Sequence, residues 1–387
     1  MPDAAQTQDT AQTQDTAQTP AAETTGQTDY TSGELLASYP YAEPLIIGGV
    51  RCHGGFDANG RYVSPRTANR LPAIEAWERK RATDFGTPVL DIALDTWPRH
   101  YPNVAQAKFL INEGVTEPIV STLTRVGTVE GFGSMIRHAA LPDLARHFEE
   151  DTRETAMAHL GGGLFEAHAR DEAGYEEEGG HKQMWFAARD VAFDNPVTSD
   201  ETALMLERMG IVPLGAGKGD PVQMRAQMAA RRILPGDIDL DLELLIQRMV
   251  RLLLIEISAF HTFAWAEEVL ADTDLVAGEG EAARIVSYIR ADETPHVLYL
   301  KTTLSEMRDR TVRGESGRLH PGAELVGEIW QRALAESLGG RRDEGLAVAL
   351  NEVEYAVAGR SDRDHIIEGF HACADVRPAA DGAWVAA

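Results

Sequence analysis

Two stretches of the chain carry the longest helical recurrence of apolar positions. Over residues 282–307, Ile285, Ile289, Leu300 and Leu304 repeat at a helical period, and Glu293 and His296 fill the gap in the same stripe. Residues 241–270 form the longest apolar helix, with Leu253, Leu254 and Ile257 around Glu256. Residues 271–280 read as the turn between the two. Pro295 is expected to bend the later helix rather than end it.

The earlier part is also helical in pattern. Over 104–137 the apolar positions are Ile119, Leu123, Val126, Val129, Phe132 and Ile136, while Gly127, Gly131 and Gly133 imply close packing or a break. Pro142 suits the first turn of a next helix, in which Leu144, Phe148, Asp151, Thr155 and Ala158 follow spacings of four and three. Gly161, Gly162 and Gly163 then predict a hairpin turn, followed by one helix over 164–195. Weaker helices are expected over 201–209 and 221–233, and two or three amphipathic ones between Gly317 and Val376.

Residues 40–103 have a different texture. Asp57-Ala-Asn-Gly60 separates two short apolar runs and predicts a hairpin or ordered loop, and 73–83 predicts a short polar helix. His53 is expected in solvent. Residues 1–39 are polar, with AQTQDT repeated at Ala5 and Ala11, and are expected to be a disordered tail. The expected partition is therefore this tail, an N-terminal extension over 40–103, a helical domain over 104–376 and a frayed end over 377–387.

Composition narrows the function classes. Asp+Glu number 61 against 36 Lys+Arg, a net charge of -25, which would repel nucleic acid and anionic membranes. Two cysteines, Cys52 and Cys373, support neither a disulfide framework nor a thiolate metal site and suggest the cytoplasm. No apolar run has the length of a membrane span. No Gly-x-Ser-x-Gly or phosphate-binding glycine loop supports a hydrolase or nucleotide reading.

The chemistry lies in carboxylates and imidazoles on apolar faces. Glu293-Thr-Pro-His296 is a Glu-x-x-His pair on one helix face. Glu256, in the least polar setting of any acid here, lies 37 residues earlier, so an antiparallel hairpin brings the two acids to similar height. Such buried groups need a partner, and a metal ion is one. Ala169-Arg-Asp-Glu172 echoes Arg290-Ala-Asp-Glu293, and each is followed by a histidine, His181 and His296. In the earlier copy 175–180 are extra; they also create a literal Glu178-Gly-Gly-His181. His168 lies four before Glu172, on its face. The lone acid of the first half is expected at Glu149 or Asp151, on the helix before the glycine turn, with Glu130 and Glu117 as alternatives. His159 and His261 read as core histidines, His261 with a supporting role open to it.

Two Glu-x-x-His helices, each paired with a helix bearing one acid, resemble the ferritin-like di-iron carboxylate proteins over about 141–307. That resemblance implies a mainly α, four-helix bundle with ligands projecting inward. The implied ligand set is Glu149, Glu172, Glu178, His181, Glu256, Glu293 and His296, with either Glu172 or Glu178 serving the first half and no catalytic residue apart from the ligands. It implies two iron ions, with manganese as the alternative. The implied activity is an O2-dependent oxidase or oxygenase, N-oxygenation or hydroxylation, acting on a small organic substrate with an external electron donor. A homodimer is left open. Metal storage in a ferritin-like cage and a non-catalytic helical scaffold are the rival readings.

Overall fold

The computed structural model describes residues 26–193 and 229–374, isolated positions between them, and the backbone of 376–378 and 384–386. The chain is mainly helical. Most of the helix expected over 201–209 and residues 221–225 and 227–228 of the one expected over 221–233 lie outside the described residues, as do 1–25 of the expected tail; Ala229 and Ala230 are helical and the chain leaves the helix at Arg231.

Residues 26–39 pack on the body rather than standing free. Helix α1 (Ser32–Leu35) starts at a Thr31–Glu34 capping box, and Leu35 is fully buried. Strands β1 (Glu43–Ile47), β2 (Val50–Phe56) and β3 (Tyr62–Val63) form an antiparallel sheet, and the Asp57–Gly60 turn joins β2 to β3 as expected. Helix α2 (Arg70–Phe85) covers the expected short helix and buries Trp77.

Helices α3 (Val104–Asn112) and α4 (Glu117–Gly133) follow. The helix expected after Pro142 is only α5 (Leu144–His147); Phe148 then turns extended and bridges Val312. The glycine triplet makes no hairpin. Leu160–Leu164 forms a single π turn, kinked at Gly163, that runs on into α6 (Phe165–Ala173); Gly163 lies so close to Leu35 that a Cβ there would come within 2.7 Å of it. The single helix expected over 164–195 is broken at Gly174, and α7 (His181–Phe193) resumes after a loop.

The two long helices stand where their apolar stripes put them: α8 (Leu240–Leu270), capped by Asp239, and α9 (Glu281–Arg308). Pro295 lies inside α9 without ending it. The hairpin β4 (Thr311–Arg313) and β5 (Leu319–Pro321) leads to α10 (Gly322–Leu338), α11 (Gly340–Val357) and α12 (Arg363–Ala372). Backbone pairing joins β6 (Val376–Pro378) to β7 (Trp384–Ala386), where fraying was expected.

Helices α4, α7, α8 and α9 pack side by side, with α6 against α4. Two apolar clusters fill this body. One takes Leu253, Leu254 and Ile257 of α8 with Val297, Leu300 and Leu304 of α9; the other takes Phe263 and Ala266 of α8 with Ile285 and Ile289 of α9. The change-over falls at Glu256 on α8 and at Glu293–His296 on α9. The N-terminal extension contributes Trp77 to the first cluster and Leu45, Ile47 and Cys52 to the second, so it shares the same core.

Candidate metal centre

The polar layer between the two apolar clusters is built from five helices. Helix α4 brings Glu130; α6 brings His168 and Glu172; α7 begins at His181; α8 brings Glu256; α9 brings Glu293 and His296. All seven are buried, with Glu130 the least so at 7 % exposed. Glu172 Oε1 lies 3.7, 3.6 and 3.3 Å from His168 Nε2, His181 Nδ1 and His296 Nδ1. Glu293 spans two imidazoles, with Oε1 2.5 Å from His181 Nδ1 and Oε2 2.6 Å from His296 Nδ1. Glu130 Oε2 is 3.7 Å from His181 Nδ1, and Glu256 Oε1 is 3.5 Å from His168 Nε2.

Local sequence explains how these groups meet. In an unbroken helix His181 would sit nine residues and about 13.5 Å beyond Glu172, on the opposite face. The loop from Gly174 to Gly180 cancels that displacement. It closes so tightly that a Cβ on Gly180 would lie 2.3 Å from Gly174 N. The loop also docks on β2, with Gly179 N donating to Arg51 O and His53 N donating to Gly179 O. Gly133 makes room on α4, since a Cβ there would come within 2.8 Å of Glu172 Cγ and 3.2 Å of His168 Nε2.

Two aspartates orient the histidines from behind. Asp171 Oδ2 lies 3.1 Å from His296 Nε2 and is held by Arg66 and Arg70 at 2.8 and 2.7 Å. Asp292 faces His181 Nε2 at 3.8 Å, takes His53 Nε2 at 3.0 Å and accepts a 2.5 Å hydrogen bond from Tyr62. Each aspartate precedes a cluster glutamate in sequence but serves the histidine of the other helix. Tyr299, also buried, lies 3.3 Å from His168 Nδ1.

The electrostatics are those of crowded acids. Burial, and then the charges of Glu172 and Glu293, push Glu130 well above the usual carboxyl range; burial, Glu293 and Glu172 do the same to Glu256. Burial opposes a charged His181 and His296, yet the glutamates hold both well above the ordinary imidazole range. Burial and the stacked ring of His296, 3.9 Å away, push His168 well below it. Asp292 is lowered to about 2 against the cost of burial by His53 and His181.

A cation fits the donors that are present. Glu130 Oε2, Glu172 Oε2 and His168 Nε2 are buried without a hydrogen-bond partner, and Glu293 Oε1 and His181 Nδ1, 2.5 Å apart, meet without hydrogen-bond geometry. Orphaned atoms of this kind are costly unless something pairs with them. His168, Glu172, Glu256 and His296 form one group with ligand atoms within 4.8 Å of one another, and Glu172, His181, Glu293 and His296 form a second. Each could hold a metal ion. No family model, curated protein or solved structure matches the chain.

Several expected site residues lie elsewhere. Glu149 is on the surface, 2.6 Å from Arg313, and Asp151 pairs with Arg153. Neither can reach the cluster, because the expected helix before the glycine triplet does not form. Glu178 belongs to the loop and is absent from both groups, so Glu172 is the acid beside His181. Glu117 begins α4, whereas Glu130, three and a half turns on, enters the layer. His53, expected in solvent, is fully buried on β2. His159 is a satisfied core histidine, accepting from Tyr30 N and bonding Thr155 O. His261 bonds Leu94 O and supports nothing in the cluster.

A cavity of about 950 Å³ opens on the cluster from one side. Its floor holds Glu130, Glu172 and Glu256; its walls come from α4, the turn after it, and one face of α8. No residue of 40–103 lines it. The segment buttresses the opposite side of the cluster instead, through His53, Tyr62, Arg66 and Arg70.

Proposed function

We propose that this chain is a non-haem, O2-dependent di-iron oxidoreductase on a ferritin-like bundle, acting on a small organic substrate. The observation that carries the reading is the pair of ligand groups sharing Glu172 and His296, with Glu293 reaching toward His181 and His296 through separate oxygens. The donor set is carboxylate and imidazole without thiolate, which suits iron or manganese.

In this reading Glu130, Glu172, His181 and Glu293 would hold one ion, and His168, Glu172, Glu256, Glu293 and His296 would hold the other. A reduced iron pair there would supply the activation of dioxygen. The chain itself does the rest. Asp171 accepts from the Nε2–H of His296 and so leaves its Nδ1 lone pair facing the centre, while Asp292 stands 3.8 Å behind His181 Nε2. Arg66 and Arg70 keep Asp171 ionised, against burial, well below the usual carboxyl range. The two apolar clusters exclude water above and below the layer, and the cavity leaves a third side open for substrate.

The test is oxygen uptake. Iron-loaded protein, reduced anaerobically and mixed with oxygenated buffer, is expected to consume O2 with a transient visible absorption, and Glu256→Ala to abolish both. Stable reduced protein in air would overturn the reading.

A further inference from the structure

The cavity's rim carries the opposite charge from its floor and from the protein as a whole. Arg248 and Arg251 lie on α8 and Arg231 just before it, and all three line the cavity. Asp241 is the only acid of the rim among the described residues; Glu130, Glu172 and Glu256 belong to the floor. Arg231 and Arg248 have no ion-pair partner among the described residues. Arg251 has only a 3.8 Å approach to Glu336, with both side chains about half exposed. In a chain of net charge -25, three arginines around one opening leave positive potential where an anion would enter.

Between rim and floor the wall is apolar. Leu244, Leu245, Leu252 and Ile255 continue one face of α8, and Met135 and Ile136 face them from the turn after α4. Ile255 is 40 % exposed and Met135 41 %, so these two stand open to the cavity, while Leu245 and Ile136 belong to the core behind them. Glu256 and Arg248 are eight residues apart on one helix, so the reacting end and the charged end are separated by about 12 Å.

We infer that this cavity binds an elongated apolar carboxylate, whose carboxyl group is held by Arg248 and Arg251 and whose far end lies at Glu130 and Glu256. The inference deepens the oxidoreductase reading by naming its substrate class, and it rests on that reading only for which end reacts. A carboxylate fits because guanidinium groups bind it in a forked geometry, and the cavity volume suits a ligand of this size.

Binding can be read without turnover. Metal-free and iron-loaded full-length protein are titrated with decanoate, decanamide and decylamine by calorimetry. Decanoate is expected to bind about tenfold or more tightly than the other two, in both forms of the protein. Arg248→Gln combined with Arg251→Gln should bring decanoate to the level of decanamide while leaving iron content unchanged. Ile255→Trp should weaken all the chains that bind, by narrowing the groove. The net charge favours the cationic amphiphile in any nonspecific association, so equal binding of all three, or tighter binding of decylamine, overturns the inference. So does a double arginine variant that keeps the full preference for decanoate. Iron content, measured on the same samples, separates this outcome from failure of the metal-centre reading.

Discussion

Asp171 Oδ2 lies 3.1 Å from His296 Nε2, although Asp171 is adjacent in sequence to Glu172 on a different helix. Asp292, adjacent to Glu293, faces His181 in the same crossed manner at 3.8 Å. The repeated Asp-Glu unit thus sends its glutamate into the layer and its aspartate behind the other helix's imidazole. Metal-binding histidines depend on such partners, and their loss costs about 10–100-fold in affinity. Asp171→Asn should therefore weaken iron binding by that order in a chelator competition. It should also lower stability by roughly 3–5 kcal/mol, because Arg66 and Arg70 would be left buried without their anion. Unchanged iron affinity would remove Asp171 from the support of the site.

Gly133 gives a second prediction. Its missing side chain leaves the space that Glu172 and His168 occupy, with a Cβ only 2.8 Å from Glu172 Cγ. Gly133→Ala must push Glu172 or α4 aside. The expected results are loss of metal and destabilisation by about 1–3 kcal/mol, the usual cost of overpacking. Thermal unfolding and elemental analysis of the same sample check both.

The acids offered by the sequence can be sorted by substitution. Glu130→Gln should reduce metal content, whereas Glu149→Ala, Asp151→Ala and Glu178→Gln should leave it at the wild-type level. Glu149 and Asp151 form exposed pairs, so their loss should leave the melting temperature close to that of the wild type. Metal lost from Glu149→Ala and kept by Glu130→Gln would reverse the assignment.

This sorting shows what was legible beforehand. Helices α8 and α9 could be read because an apolar stripe runs through nearly their whole length, and the acids interrupting it had to face inward. Glu256, Glu293 and His296 followed. Glu130 was only an alternative because the glycine triplet suggested a hairpin that would bring Glu149 or Asp151 in, while Gly127, Gly131 and Gly133 beside Glu130 read as close packing or a break. Those glycines are there for packing: Cβ atoms at Gly127 and Gly131 would come within 2.8 Å of Trp185 and Lys182 on α7. The burial of His53 had no local signal at all, since it depends on the docking of β2 against the loop before His181. Asp171 and Asp292 stood in plain view in the repeated unit, but their crossed pairing is a property of the folded arrangement.

Glu306 supplies a pH dependence away from the cluster. It is buried and accepts from Ala156 N and Met157 N at 3.1 and 3.0 Å. Burial raises its carboxyl from 4.5 to about 7, with those amides and Arg310 opposing. A carboxyl raised on folding contributes stability that is fully present below about 4.5 and is lost as pH climbs through about 7. Glu306→Gln does not titrate. Relative to that variant, the wild type should lose roughly 3 kcal/mol between pH 5 and pH 8. A pH-independent difference between the two melting curves would contradict this.

Cation binding at the buried layer underlies every role given to these residues, and metal stoichiometry reads it most directly. Protein loaded anaerobically with ferrous iron and freed of excess should retain about two irons per chain, one for each of the two ligand groups. Glu293→Ala, which removes the carboxylate common to His181 and His296, should retain less than one. Wild-type protein with iron and manganese both at background, folded and with Glu293→Ala indistinguishable from it, would contradict the account.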